Sequence, residues 1–168
     1  FMARLTDVLI VTNLEDYEAA QKMKVRENVY YVPGVGVATE EISNLSVNVS
    51  NKKKELGIPE NSFVLCSVGE CIKRKNHESA IRAFSKIYTP DMYYIVVGDG
   101  LLFEHLNALV KELKLEKNVL LPGYRKDANE ILKISDLYLF PSYQEGLSVA
   151  LMQAIAAGLP VVASRIRG

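Results

Sequence analysis

The sequence has no excess of either charge: 20 Lys and Arg stand against 20 Asp and Glu, leaving a formal net charge of zero with the 2 His neutral. A nucleic acid or an anionic membrane surface needs a surplus of cations on one face, so neither is expected as a partner. Cysteine is scarce, with only Cys66 and Cys71. Two cysteines do not make the disulfide framework of a small secreted domain, and no Cys/His cluster has zinc spacing. A reducing, cytoplasmic setting without a bound metal is therefore the expectation. No apolar run reaches the roughly 18 residues of a membrane-spanning helix. The stretch from Leu147 to Ala157 carries polar residues and stops at Gly158. The start, Phe1-Met-Ala-Arg4, lacks the charged, apolar, small order of a signal peptide, so the sequons at Asn44 and Asn48 are not expected to be glycosylated. Internal repeats and low-complexity segments are absent as well.

What is present is an ordinary globular composition. Of 168 residues, 49% are hydrophobic and 24% charged, which excludes disorder and coiled coil. A chain of this length buries about 68–70% of its unfolded surface, enough for a core without staples. Short β-rich runs alternate with helical patterns: a strand over Asp7 to Thr12, a helix from Glu15 to Lys24, and a strand over Val29 to Val32, followed by a turn at Pro33-Gly-Val-Gly36. From Val37 to Ser50 no period holds, and the segment reads as a linker. A short helix follows at Lys52 to Leu56, whose lysine run reads as a solvated face. After that the rhythm is regular. Strands are predicted at Phe63–Val68, Tyr93–Val97, Val119–Leu121, Leu137–Phe140 and Val161–Ala163. Helices between them are predicted at His77–Ile87, Leu101–Leu115, Ala128–Ile134 and Leu147–Ala157. Nearly continuous apolar strands indicate burial on both faces, hence an α/β fold with a parallel sheet flanked by helices. In such sheets ligands sit beyond the carboxyl ends of the strands, here Gly69, Gly98, Gly123 and Pro141-Ser142.

Several residues at those ends are candidates for chemistry, each with a plainer reading beside it. Gly69 ends a strand, and six residues later Lys75 closes the basic stretch Lys73-Arg-Lys75 just before a helix. Such a loop can offer N–H groups, a helix N-terminus and ammonium groups to a phosphate, or it can be a solvated loop. Gly98-Asp-Gly100 opens a helix but has Phe103 where a dinucleotide fingerprint needs its third glycine, so a tight turn is the simpler reading. Glu145 lies between a buried strand and an apolar helix, as an N-terminal cap or as a site carboxylate. His77 and His105 lack metal partners and read as helix-surface or capping residues. Cys66 reads as a core residue and Cys71 as an exposed loop residue.

The motifs Val68-Gly-Glu-Cys-Ile-Lys-Arg-Lys-Asn-His77, Val97-Gly-Asp-Gly100, Leu121-Pro-Gly-Tyr124, Phe140-Pro-Ser-Tyr-Gln-Glu-Gly-Leu147 and Gly158-Leu-Pro-Val-Val-Ala163 occur in that order. Together they resemble family 4 glycosyltransferases of the GT-B fold, in particular bacterial enzymes of exopolysaccharide and capsule synthesis. Tyr31-Val-Pro-Gly-Val-Gly36 resembles their interdomain connection. The resemblance implies a Rossmann-like donor-binding domain over 51–168, a linker over 33–50, and a remnant of the acceptor domain over 1–32. It also implies a chain truncated at both ends, with Gly168 inside the donor domain.

The resemblance further implies a retaining transferase that moves a sugar from a nucleoside diphosphate, most simply a UDP-sugar, to a glycan or lipid-linked acceptor. No metal or cofactor is implied, and membrane contact would come only through the missing domain. Lys75 matches the basic residue on the donor pyrophosphate, beside Gly69. Tyr124 and Arg125 match the segment flanking the nucleobase. Glu145 matches the carboxylate at the sugar hydroxyls near the reacting carbon, and the backbone of Gly146, Leu147 and Ser148 matches the phosphate and sugar contacts. Two departures stand out. Glu70 replaces an arginine, which Lys73 or Arg74 would have to compensate, and Gln153 stands where relatives hold the ribose with a second glutamate. The same scaffold also serves nucleotide-sugar epimerases, and a noncatalytic nucleotide-sugar-binding module is a third possibility raised by those departures.

Overall fold

The computed structural model describes residues 2–34 and 36–166. Val35 of the expected turn, and Phe1 and Gly168 at the chain ends, lie outside the described residues. Strands β1 (Val8–Val11) and β2 (Asn28–Tyr31) pair in parallel, with helix α1 (Leu14–Ala20) as the crossover. A five-stranded parallel sheet follows, built from β3 (Phe63–Val68), β4 (Met92–Val97), β5 (Val119–Gly123), β6 (Leu137–Phe140) and β7 (Val161–Ala163) in the order β5-β4-β3-β6-β7. Helices α4 (His77–Ile87), α5 (Phe103–Glu112), α6 (Ala128–Lys133) and α7 (Val149–Ala156) make the connections.

The period-2 alternation of the strands divides the core between two faces. Leu65, Tyr94 and Val96 pack with Phe84, Leu106 and Val110 of α4 and α5. Val64, Cys66, Ile95, Val97 and Tyr138 point the other way, onto Ile131 and Leu132 of α6 and Ala154 of α7. Both faces are thus covered, as the apolar strands require. Strand order reverses between β3 and β6, which is the topological switch point of this sheet. There the ladder stops at Cys66 and Tyr138, and side chains take over. The Tyr138 hydroxyl accepts from Val68 N (3.3 Å) and donates to Val68 O (3.2 Å), while Ser67 Oγ donates to Leu139 O at 2.6 Å. The strands part at their carboxyl ends without leaving those backbone groups unpaired.

The aperiodic stretch from Val37 to Ser50 is more ordered than its pattern suggests: it contains α2 (Thr39–Ser43), which packs against α7, and the start of α3 (Val49–Glu55). Two expectations are corrected. The lysine run in α3 is not a solvated face. Lys53 is buried and donates to Glu60 O and Ser62 O (both 2.9 Å), and Lys52 pairs with Glu55, Asp127 and Glu130. Helix α5 stops before Leu115 because Lys114 takes a left-handed φ of 57°. Gly98 has the positive φ expected of a tight turn, 149°, and crowding adds a second requirement, since a Cβ there would lie 2.0 Å from Gly69 O. The loops after β3 and β4 run against each other.

Candidate functional site

The loops after β3, β4 and β5 enclose a cleft of about 560 Å³ at the carboxyl edge of the sheet. Gly69, Glu70, Asp99, Tyr124, Arg125, Asn129 and Gln153 line it. A second cleft of about 420 Å³, lined by Asp16, Arg74, Gln144, Glu145 and Gly146, lies between the start of α1 and the loop after β6. The expected donor-binding residues therefore divide: Gly69, Tyr124, Arg125 and Gln153 border the first cleft, Glu145 and Gly146 the second.

Between the loops after β3 and β6 lies a cluster of charges. The loop after β3 makes a 3₁₀ turn over Lys73–Lys75, and Asn76 takes a left-handed conformation (φ 54°) before α4. It is tied to the loop after β6: Asn76 Nδ2 donates to Pro141 O at 3.0 Å, and Tyr143 N donates to Arg74 O at 2.8 Å. Lys75 lays its stem beside Gly69 and brings Nζ to 2.7 Å from Glu145 Oε1. Ser142 Oγ donates to the same oxygen at 3.0 Å, and Arg74 Nη1 reaches Glu145 Oε2 at 2.6 Å. Only 8% of the Glu145 side chain is exposed. Burial works to raise its pKa, but Lys75, Ser142 and Arg74 outweigh it, and the carboxyl titrates below its usual range. Glu145 is therefore ionised, buried and compensated.

Glu145 is not a helix cap. Ser148 caps α7, its Oγ accepting from Leu151 N at 3.4 Å, so the helix starts at Val149 rather than at Leu147. Leu147 instead approaches Gly34, where a Cβ would fall 2.4 Å from its Cδ2, and so joins the loop after β6 to the segment after β2.

Arg125 borders the first cleft, but its guanidinium is held by Asp127 (2.8 and 2.6 Å) and by Glu55. Tyr124 stands exposed at the rim. His77 is not a surface or capping residue. It is 3% exposed, its ring nitrogens lie near the Gly69 and Glu70 backbone without a well-aligned hydrogen bond, and burial lowers its pKa to about 4. His105 is exposed and pairs with Glu78 at 2.9 Å, in line with a surface role. Cys71 is buried, not exposed, and burial pushes its thiol up to about 11. Cys66 is a core residue as expected. The sequence places Ser142 at a strand end but does not show its bond to Glu145, which the loop's fold makes. Asn129 is marked by nothing in its local pattern, because the approach of α6 to α7 brings it to the cleft. Among the described residues no three His, Cys, Asp or Glu side chains gather as a metal site, and no helix is long and apolar enough to cross a membrane.

Comparison with known proteins gives this geometry a family. The chain is 34% identical over 175 residues to a UDP-Gal:alpha-D-GlcNAc-diphosphoundecaprenol alpha-1,3-galactosyltransferase of Escherichia coli, covering 100% of this chain and 45% of that protein. It is 36% identical over 115 residues to an N-acetylgalactosamine-N,N'-diacetylbacillosaminyl-diphospho-undecaprenol 4-alpha-N-acetylgalactosaminyltransferase of Campylobacter jejuni, covering 68% of this chain and 31% of that protein. The crystal structure of Anabaena Alr3699/HepE in complex with UDP and glucose superposes with a TM-score of 0.84 at 22% identity, over 99% of this chain and 47% of that one. The chain thus spans less than half the length of these relatives. Its structural neighbours are GT-B glycosyltransferases, and the expected fold of a parallel sheet flanked by helices is the one observed. Residues 48–168 match the family model of glycosyl transferases group 1, and the chain belongs to that family.

Proposed function

We propose that the protein carrying this chain is a retaining glycosyltransferase that moves a sugar from a UDP-sugar to a glycan or lipid-linked acceptor on the cytoplasmic side, in polysaccharide biosynthesis. Residues 51–168 supply the donor half, and 1–32 belong to the acceptor half. One observation carries the reading: an ionised, nearly buried carboxylate, Glu145, held against Lys75 at the switch point beside the 560 Å³ cleft. The two named relatives support it, since both act on diphosphoundecaprenol-linked sugars.

In this reading the nucleoside lies in the first cleft, with the base near Tyr124 and Arg125 and the ribose at Gln153. The diphosphate meets Lys75 and the backbone at Gly69, Gly146, Leu147 and Ser148, and Glu145 receives hydroxyls of the transferred sugar. As the sugar–phosphate bond breaks, negative charge grows on the leaving diphosphate. An ammonium and fixed N–H dipoles stabilise that charge more in the transition state than in the ground state, which is the condition for catalysis. No metal takes part in these steps, so activity is expected to withstand a chelator.

The test is to incubate the complete protein with UDP-sugars and a diphosphoundecaprenol-linked sugar and to assign the anomeric configuration of the product by NMR. Transfer with the donor's configuration kept is expected. Inversion would overturn the retaining mechanism. Interconversion of the UDP-sugar without acceptor would indicate an epimerase, and UDP-sugar binding without any product a noncatalytic module.

A further inference from the structure

A lysine that binds a diphosphate must have its ammonium free to do so, yet Lys75 Nζ sits on Glu145 Oε1 at 2.7 Å. Leaving that position alone would strand an ionised carboxylate that is 8% exposed, and breaking one partner from a buried pair is costly. Arg74 changes this balance. Its Nη1 holds the other oxygen, Oε2, at 2.6 Å and also donates to Gln144 O at 3.1 Å. Its own carbonyl accepts from Tyr143 N at 2.8 Å, so the guanidinium and the loop after β6 are fixed to each other. Ser142 Oγ remains on Oε1 at 3.0 Å. When Lys75 departs, each carboxylate oxygen still keeps a donor. Lys73, the other candidate to offset Glu70, instead lines a separate cleft with His77 and Tyr143.

We propose that Arg74 is a positioning residue that retains Glu145 in its ionised, buried place and so releases Lys75 to the donor diphosphate. The inference rests on the reading that Lys75 meets that diphosphate. Arg74 acts through Glu145 and not by touching the phosphates, and this makes a prediction that a direct or a merely structural role does not.

The experiment is a double-mutant cycle read by calorimetric titration of UDP and of uridine into the protein, with Arg74→Met, Glu145→Gln and the double variant. Arg74→Met is expected to weaken UDP binding about tenfold, equal to about 1.4 kcal/mol, and to leave uridine unchanged. In the Glu145→Gln background, where no carboxylate retains Lys75, the same substitution is expected to change UDP affinity by less than about twofold. Arg74→Lys, which keeps the charge, is expected to restore most of the affinity. An undiminished tenfold loss in the Glu145→Gln background would overturn the inference, because Arg74 would then act on the anion or through the fold. So would an unchanged UDP affinity in Arg74→Met. If Arg74→Met does not fold, Arg74→Gln takes its place with the same expectations. The underlying reading is tested separately by Lys75→Ala: if UDP binding is indifferent to it, that reading fails, whereas a loss there with none in Arg74→Met removes only the role of Arg74.

Discussion

Lys75 and Glu145 illustrate how one ion pair serves both packing and chemistry. The pair keeps a carboxylate charged where burial works against the charge. If Lys75 also meets the diphosphate, Lys75→Ala should weaken UDP binding by about 1.5–3 kcal/mol, the usual contribution of a charge-assisted hydrogen bond. Titrating uridine alongside checks this, since the nucleoside should bind as before. Gln153 offers a second test. It borders the 560 Å³ cleft with Asn129, while Glu145 borders the neighbouring one, so a new carboxylate at 153 would not face the old one across the same cleft. An ionised carboxylate accepts from two ribose hydroxyls where an amide offers one acceptor oxygen. Gln153→Glu is therefore expected to tighten UDP binding by about 1 kcal/mol. An equal response of 2′,3′-dideoxy-UDP would remove Gln153 from the ribose.

At the scale of elements, the site depends on where β3 and β6 part. Tyr138 and Ser67 replace the missing ladder bonds with hydroxyl bonds to Val68 and Leu139, so those backbone groups stay paired where the strands separate. The start of α7 matters in the same way. Ser148 gives Leu151 N–H its partner and ends the loop that carries Glu145. Ser148→Ala is expected to cost about 1 kcal/mol of stability, as loss of an N-cap does, and urea denaturation measures it directly. Glu145→Ala would produce no comparable loss of helix α7 itself, because the helix does not use that carboxylate.

At the scale of the whole molecule, the centre of the five-stranded sheet is covered on both faces, whereas Val162 of the edge strand β7 and Ile10, Tyr30 and Tyr31 of the β1–β2 pair are exposed to solvent. Because transfer needs an acceptor surface and a site closed to water, the 168-residue chain by itself is expected to bind UDP and not to glycosylate an acceptor. Product analysis with the purified chain checks this. Acid stability should carry the mark of His77. Burial lowers its pKa from 6.5 to about 4, so the folded state resists protonation that the unfolded chain accepts. The contribution is complete above pH 6.5 and is lost as pH falls from there toward 4, by roughly 3 kcal/mol. His77→Phe should flatten the unfolding free energy across that window, leaving the steeper loss below about pH 4.5 that belongs to lowered carboxylates such as Glu145 and Glu55.

The sequence by itself determined the sheet. Apolar runs of strand length, each followed by a helical period and a glycine-marked loop, have few arrangements other than a parallel sheet with helices on both faces, and β3 through β7 lie where those runs are. It also determined which loops meet at one edge, since all five strands run the same way. Other features became visible only in the tertiary structure, because each depends on contacts between residues far apart in the chain. The helix α2 has no period of its own and is held by α7; Lys53 is buried because two backbone carbonyls receive its ammonium. His77 and Cys71 are buried by the crossing of loops that no local pattern announces. The division of the expected site into two clefts, and the assignment of Arg74 to Glu145 across about 70 residues of chain, were decided by distant loops returning to the same edge. A carboxylate's partners are set by the distance and dielectric around it, and those are properties of the folded chain.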